Sequence, residues 1–275
     1  MIDSDKPKTV FITGAGSGIG RALAVAFGAR GHIVCVSDLD LVAAQAVASL
    51  CGVHAQALAL DVRDADAVKN AVDNFVEKTG RLDYMVNNAG IGIAGETDEI
   101  SLNAWQHIID INLYGVLHGV LAAYPVMLQQ QSGHILNVAS LAGLGPAPLF
   151  SPYALTKHAV VGLSTSLRIE AAARKVKVSV LCPAAIETAL LDKDNPSELQ
   201  IPWSPDARRF LTALAGPPYS VEKCAQETLL ALDRNVGVIV LPGRARLAWR
   251  LGRLFPSLVE ALGKKEVAKE RAFRS

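Results

Sequence analysis

Short runs rich in β-branched and apolar residues alternate along this chain with longer stretches whose apolar positions recur every three to four residues. Residues 9–13 (TVFIT), 33–37 (IVCVS), 55–60, 82–86 (LDYMV), 134–139 (HILNVA), 176–181 and 236–241 read as strands. Most are apolar on both faces, the pattern of parallel strands covered by helices on both sides. Between them, segments 19–30, 41–50, 65–79, 103–130, 152–174 and 221–234 carry helical periodicity. Such alternation implies right-handed βαβ crossovers. The predicted fold is therefore α/β, a doubly wound, mostly parallel seven-stranded sheet with helices on both faces. No internal repeat or low-complexity linker divides it, so residues 1–243 are expected to form a single domain. Two stretches stand apart: 189–220, rich in Pro and polar residues with scattered large apolar groups, and 244–275.

Composition narrows the class. With 51% hydrophobic and 19% charged residues in 275, the chain can bury a large core and is unlike a disordered protein. A net charge of +1 makes no case for nucleic acid. It conceals an asymmetry: residues 244–275 hold nine Lys/Arg against three Asp/Glu, so the tail carries +6 and the remainder −5. At 100° per residue, Leu247, Leu251, Leu254, Leu258 and Leu262 fall within about an 80° sector, and Arg246, Arg250 and Arg253 cluster on another face. Pro256 should kink or divide this helix. Its leucines are expected to pack on the domain or on a neighbouring subunit; an anionic membrane surface is the less favoured partner. Cys35, Cys51, Cys182 and Cys224 are scattered without CxxC spacing and read as buried free thiols. No metal site is predicted. The start MIDSDKPK has no apolar signal region, and no apolar run reaches the roughly 18 residues of a membrane span, so a cytoplasmic protein is expected.

Three features carry chemistry. The run TGAGSGIG at 13–20 follows the first strand and opens a helix. Its glycines let a ligand approach the backbone closely, and the helix N-terminus offers free N–H groups to a pyrophosphate. The second strand then ends at Asp38, 24 residues after Gly14. A carboxylate there accepts hydrogen bonds from both adenosine ribose hydroxyls and repels a 2′-phosphate. Neither Ala15, Ser17 nor Leu39 supplies a cation for such a phosphate, which favours NAD over NADP. Asp40 is available to cap the helix that follows, which frees Asp38 from that role. Finally, Tyr153 and Lys157 lie one helical turn apart, thirteen residues beyond Ser140. A neighbouring ammonium lowers a phenol pKa from roughly 10, so the pair suits proton exchange.

On these motifs the chain resembles the short-chain dehydrogenase/reductase family, over roughly residues 8–241 and so over all but the tail. TGAGSGIG fits the family's TGxxxGxG loop, Asp61-Val62 its dipeptide after the third strand, NNAG at 87–90 its sheet-supporting segment, and YALTK its YxxxK motif. Asn112 occupies the helical asparagine position. The resemblance implies a Rossmann fold and roles by position. Tyr153 would be general base or acid, Lys157 its activator and a ribose ligand, Ser140 the anchor of the substrate oxygen, and Asn112 the holder of a water that links Lys157 to solvent. It implies a nicotinamide cofactor against Gly14, Ser17, Gly18, Ile19, Gly20, Asp38, Leu39, Asp61, Val62, Asn88, Ala89, Gly90, Tyr153, Lys157, Pro183, Ile186 and Thr188. It further implies a homotetramer or dimer formed through helices 103–130 and 152–174. One departure is Ala184, which stands where the family usually has glycine after Pro183. A methyl there is tolerable if φ is negative.

The segment after Thr188, where the family closes over substrate, offers Leu190, Leu191, Trp203, Phe210 and Leu214 as an apolar cover. The run after Ser140 adds Leu141, Leu144, Leu149 and Phe150 without a charge. Only Arg208 and Arg209 could clamp an acidic substrate. The expected activity is an NAD-dependent oxidoreductase interconverting a hydrophobic secondary alcohol and its ketone. A reductase of a lipid-like or steroid-like ketone at a membrane surface is the alternative. A non-catalytic nucleotide-binding regulator is a third reading.

Overall fold

The computed structural model describes residues 6–274. Seven strands, β1 (Thr9–Thr13), β2 (Ile33–Asp38), β3 (Gln56–Ala59), β4 (Tyr84–Asn87), β5 (His134–Val138), β6 (Lys177–Pro183) and β7 (Val238–Leu241), form one sheet. Every pairing is parallel, in the order β3-β2-β1-β4-β5-β6-β7. The chain winds outward from β1 in one direction and from β4 in the other. The crevice at the carboxyl ends of these two strands is where such sheets bind ligands.

Alternate strand residues feed opposite layers. Val10 and Ile12 pack beneath α1 (Gly18–Ala29), α2 (Leu41–Ala48) and α8 (Val221–Asp233), whereas Phe11 packs with α3 (Ala65–Thr79), α5 (Gly115–Gln130) and α6 (Ser151–Ala172). Local signals set the helix starts. Asp40 accepts from the N–H groups of Val42 and Ala43, and Asp64 from that of Ala67. All four cysteines are free and buried, and burial lifts Cys35, Cys182 and Cys224 to about 12 and Cys51 to about 11.

Two expectations need correction. The segment predicted as one helix over 103–130 is α4 (Leu102–Ile109), a wider π-turn over Asp110–Tyr114, and α5. By length and mean hydropathy (1.4), Leu102–Gln130 is also apolar enough to cross a membrane, contrary to the sequence expectation. One side of it belongs to the core, where Val116, Val120, Ala123 and Met127 are buried against the sheet. The second correction concerns the tail, which forms α9 (Gly243–Leu254) and α10 (Pro256–Arg271), divided at Pro256 as predicted. Its leucines do not pack on the domain. Leu247, Leu251, Leu254, Leu258 and Leu262 are 47–71% exposed, because α9 meets the domain through Ala245 and Trp249 on its opposite side.

Candidate active site

The crevice opens into a cavity of about 2110 Å³ that runs from the glycine loop past Tyr153 to the tail helices. At one end lies the loop of β1. Gly14 (φ +61°) and Gly18 (φ +53°) adopt the left-handed region that favours glycine. A Cβ on Gly20 would overlap the Gly14 carbonyl oxygen and the Asn88 amide nitrogen. Asn88 ties the loop to β4 by donating to the carbonyls of Thr13 (3.0 Å) and Gly14 (2.8 Å). Thr13 Oγ1 accepts from the N–H groups of Asn88 and Ala89. Ser17 places no side-chain cap on α1, so the first-turn N–H groups beside Ser17, Gly18 and Ile19 open on the cavity. An uncapped helix end on a glycine-rich cavity wall fits a dinucleotide pyrophosphate.

Asp38 ends β2 beside this loop. Its Oδ2 accepts from Gly16 N–H (2.8 Å) and its Oδ1 from Asp40 N–H (3.1 Å), while Asp40 takes the α2 cap. Leu39 is exposed and also lines the cavity. Asp61 lines it too, but its carboxylate is clasped by Arg63 at 2.6–3.0 Å, which holds it below the usual carboxylate range. Val62 is buried, and its carbonyl accepts from His118 Nδ1 at 2.8 Å. Across from the glycine loop, Pro183 ends β6 and Ile186 is buried on a loop pinned at Tyr219. Thr188 faces Gly18, with its Cγ2 3.5 Å from where a Cβ on that glycine would sit. Ala184 has no positive φ, so its methyl is accommodated without strain.

Tyr153, Lys157 and Ser140 converge on the middle of the cavity, with Gly90 opposite. Ser140 ends the β5 run, where its Oγ accepts from Ala142 N–H (3.2 Å) and also faces the Tyr153 phenol. Pro152 in the first turn of α6 presets the helix that presents Tyr153. Lys157 is buried, and its Nζ donates to the Val138 carbonyl (3.0 Å) and lies 5.5 Å from the Tyr153 ring centroid. The expected depression of the phenol pKa is not what this arrangement produces. Burial pushes Tyr153 up, the Ser140 contact opposes it only in part, and burial drives Lys157 down to about 8. Asn112, fully buried on the π-turn, accepts from Ile91 N–H (2.8 Å) and donates to the Ile91 carbonyl (2.9 Å) and Thr156 Oγ1 (3.3 Å). Its side-chain amide clamps the strand β4 exit to the helices.

The substrate end differs in detail from the sequence reading. Leu141, Leu144, Phe150, Leu190, Leu191 and Leu214 line the cavity as predicted. Leu149, Phe210 and Trp203 do not. Phe210, on α7 (Ala207–Ala215), is buried and stacks on Phe150 at 6.2 Å, Leu149 is buried beside them, and Trp203 lies under the Arg274 guanidinium. Arg208 is spent on Glu187 and Asp192, and Arg209 on Glu270 and Asp206. Neither is a free clamp for an acidic substrate. The sequence reading missed the tail as cavity wall: Trp249, Leu251, Phe255, Leu258 and Val267 line the mouth. The leucine stripe of the tail was the only sequence signal that bore on it.

A profile of the short chain dehydrogenase family matches residues 8–199, the part of the chain that carries the glycine loop, Ser140, Tyr153 and Lys157. The chain belongs to the short-chain dehydrogenase family. It is an oxidoreductase acting on CH–OH groups. Among curated relatives, it is 35% identical over 196 residues to a cyclohexanol dehydrogenase of Acinetobacter sp. (strain SE19), covering 70% of this chain and 78% of that one. It is 37% identical over 182 residues to a meso-2,3-butanediol dehydrogenase of Serratia marcescens, covering 66% and 72%. Among solved structures, a short chain dehydrogenase/reductase from Burkholderia phymatum in complex with NAD superposes with a TM-score of 0.83 at 30% identity, covering 94% and 96%. A dehydrogenase of this family uses a nicotinamide cofactor, in keeping with the cavity wall described above.

Proposed function

We propose that this short-chain dehydrogenase interconverts a hydrophobic secondary alcohol and its ketone with NAD, using Tyr153 as the proton-exchanging group. The observation that carries the proposal is the convergence of Ser140, Tyr153 and Lys157 on a cavity that also holds the uncapped end of α1 and Asp38. Bound NAD would supply the hydride acceptor for the alcohol carbon. In oxidation, Ser140 Oγ holds the substrate oxygen, and the phenolate of Tyr153 takes the hydroxyl proton as the C–H bond yields its hydride. In reduction the phenol returns that proton to the carbonyl oxygen. The second reading is a reductase of a lipid-like ketone, which uses the same groups in reverse, with the ratio of reduced to oxidised cofactor setting the direction.

Preference for NAD over NADP rests on charge. Asp38 would meet a 2′-phosphate with a carboxylate, Leu39 offers no cation, and Arg63 is already clasped by Asp61. The apolar substrate class rests on the walls at Leu144, Phe150, Leu190, Leu191 and Leu214 and on the engagement of Arg208 and Arg209 in ion pairs. Likeness to a cyclohexanol dehydrogenase supports a cyclic alcohol. A homo-oligomer through α5 and α6 is supported by Leu121, Leu155 and Ile169, which stay exposed on those helices.

The test is NADH formation across cyclic, aromatic, linear and polyol secondary alcohols, with NADP in parallel. We expect apolar alcohols to lead and Asp38→Ala to raise the NADP/NAD ratio of kcat/KM at least tenfold. Tyr153→Phe should lower kcat by about 10³-fold or more while NAD still binds. A preference for polyols or phosphorylated substrates overturns the substrate class, and turnover within tenfold of wild type in Tyr153→Phe overturns the role of the phenol.

A further inference from the structure

A helix on a globular surface normally turns its apolar stripe inward, and α9 does the reverse. Ala245 is buried and Trp249 half-buried against the domain. Leu247, Leu251 and Leu254, roughly opposite them at 100° per residue, face away. Phe255, Leu258 and Leu262 extend the exposed apolar surface across the Pro256 junction onto α10. The far end of α10 is tied to the domain. Glu270 of α10 is buried, accepts from Asp206 N–H (2.9 Å) and pairs with Arg209 (2.6 Å), and Arg271 pairs with Glu96 (2.6 Å). Arg274 adds an ion pair to Glu99. These four contacts, all from residues 270–274, fix the C-terminal end of α10 to the domain.

The charges around the patch choose its occupant. Arg244, Arg246, Arg250, Arg253 and Lys265 are exposed and, among the described residues, none is paired with a carboxylate: Arg244 and Arg246 donate to the Pro217 and Val240 carbonyls, Arg253 lies over the Trp249 ring, and Arg250 and Lys265 project from the helices. A second copy of the chain meeting this face about a two-fold axis would set these cations against their own counterparts, which is repulsive. An anionic lipid surface satisfies both halves of the pattern: headgroups meet the cations and the outer acyl region takes the leucines. We propose that α9 and α10 dock this dehydrogenase on an anionic membrane surface. Leu251, Phe255, Leu258 and Leu262 also line the mouth of the active-site cavity, so docking turns that mouth toward the lipid. Entry of substrate from the bilayer rests on the apolar-substrate reading; the docking itself does not.

Flotation of the full-length protein with phosphatidylcholine vesicles, with and without 30 mol% phosphatidylglycerol, tests this without any substrate. Leu247 and Leu254 lie off the cavity, so Leu247→Ser/Leu254→Ser is the apolar variant, and Arg250→Glu/Lys265→Glu is the charge variant. Wild type should float at least tenfold more with phosphatidylglycerol, and each variant should lose at least tenfold, with far-UV circular dichroism and NAD binding unchanged. Absence of flotation, or flotation that neither variant weakens, overturns the proposal. So does sedimentation velocity in which the serine variant dissociates an oligomer while wild type ignores vesicles: the patch is then a subunit interface. Because flotation is read without turnover, its failure leaves the oxidoreductase reading intact, and failure of the alcohol panel leaves flotation intact.

Discussion

Tyr153 and Lys157 illustrate how one turn of helix can specify a reaction centre without specifying its protonation. Their spacing brings phenol and ammonium to one face, yet burial raises the first and lowers the second to about 8. The oxidative reaction needs the phenolate, so its kcat/KM should climb steadily from pH 7 to 10, whereas the reductive reaction needs the phenol and should hold level before falling at the alkaline end. Oxidation rates that are flat across that range would sink the assignment of Tyr153 as base. A second titrating residue governs stability. His134 is buried, its Nε2 lies 2.8 Å from Ser179 Oγ, and burial lowers it from 6.5 to about 3. Between those two values the unfolded chain takes up a proton that the native one refuses. Stability is therefore expected to fall as pH drops below 6.5, by up to about 1.4 kcal/mol per pH unit from this group. Urea unfolding at pH 7, 6 and 5 measures the slope, and His134→Asn should flatten it.

At the scale of elements, the β1–α1 junction depends on backbone proximity more than on any side chain. A Cβ on Gly20 has no room between the Gly14 carbonyl and Asn88. Gly20→Ala should therefore push α1 off the loop, weaken NAD binding at least tenfold by fluorescence titration, and lower the thermal midpoint. The same variant at Gly243, which has no positive φ and where a Cβ would meet nothing within 4 Å, leaves NAD binding alone and serves as control. Most of this level was legible in the sequence. The loop, Asp38, the Asp40 cap and the strand-end Ser140 depend on neighbours within a few residues, and the seven strands announced themselves by apolar runs. The π-turn at Asp110–Tyr114 did not, because its cause is distant. Buried Asn112 must turn its amide to Ile91, 21 positions away, and local periodicity carries no trace of that demand.

On the scale of the whole molecule, the tail beyond the matched family region is joined to the substrate cover. Glu270 sits between Arg209 and the Asp206 amide, at 4% exposure. Glu270→Ala strands a partly buried donor and removes an ion pair, costing about 1–3 kcal/mol of local stability. It should speed limited proteolysis within 256–274 severalfold and leave NAD affinity unchanged, because the glycine loop lies at the far end of the cavity. Proteolysis at the wild-type rate would mean that Arg271–Glu96 and Arg274–Glu99 suffice to hold α10.

The sequence by itself determined the order of strands and helices, the parallel sheet, the nucleotide loop and the Ser140–Tyr153–Lys157 set. Each follows from spacing, turn chemistry or periodicity along a short stretch of chain. Tertiary structure alone decided which apolar residues face the cavity and which become its scaffolding: Leu144 and Leu214 line it, while Leu149, Phe210 and Trp203 pack behind. It also decided that Arg208 and Arg209 are bound to carboxylates and that the leucines of α9 face outward. Those outcomes, like the protonation of Tyr153, depend on what lies opposite a side chain in space, and desolvation and pairing are properties of that surrounding.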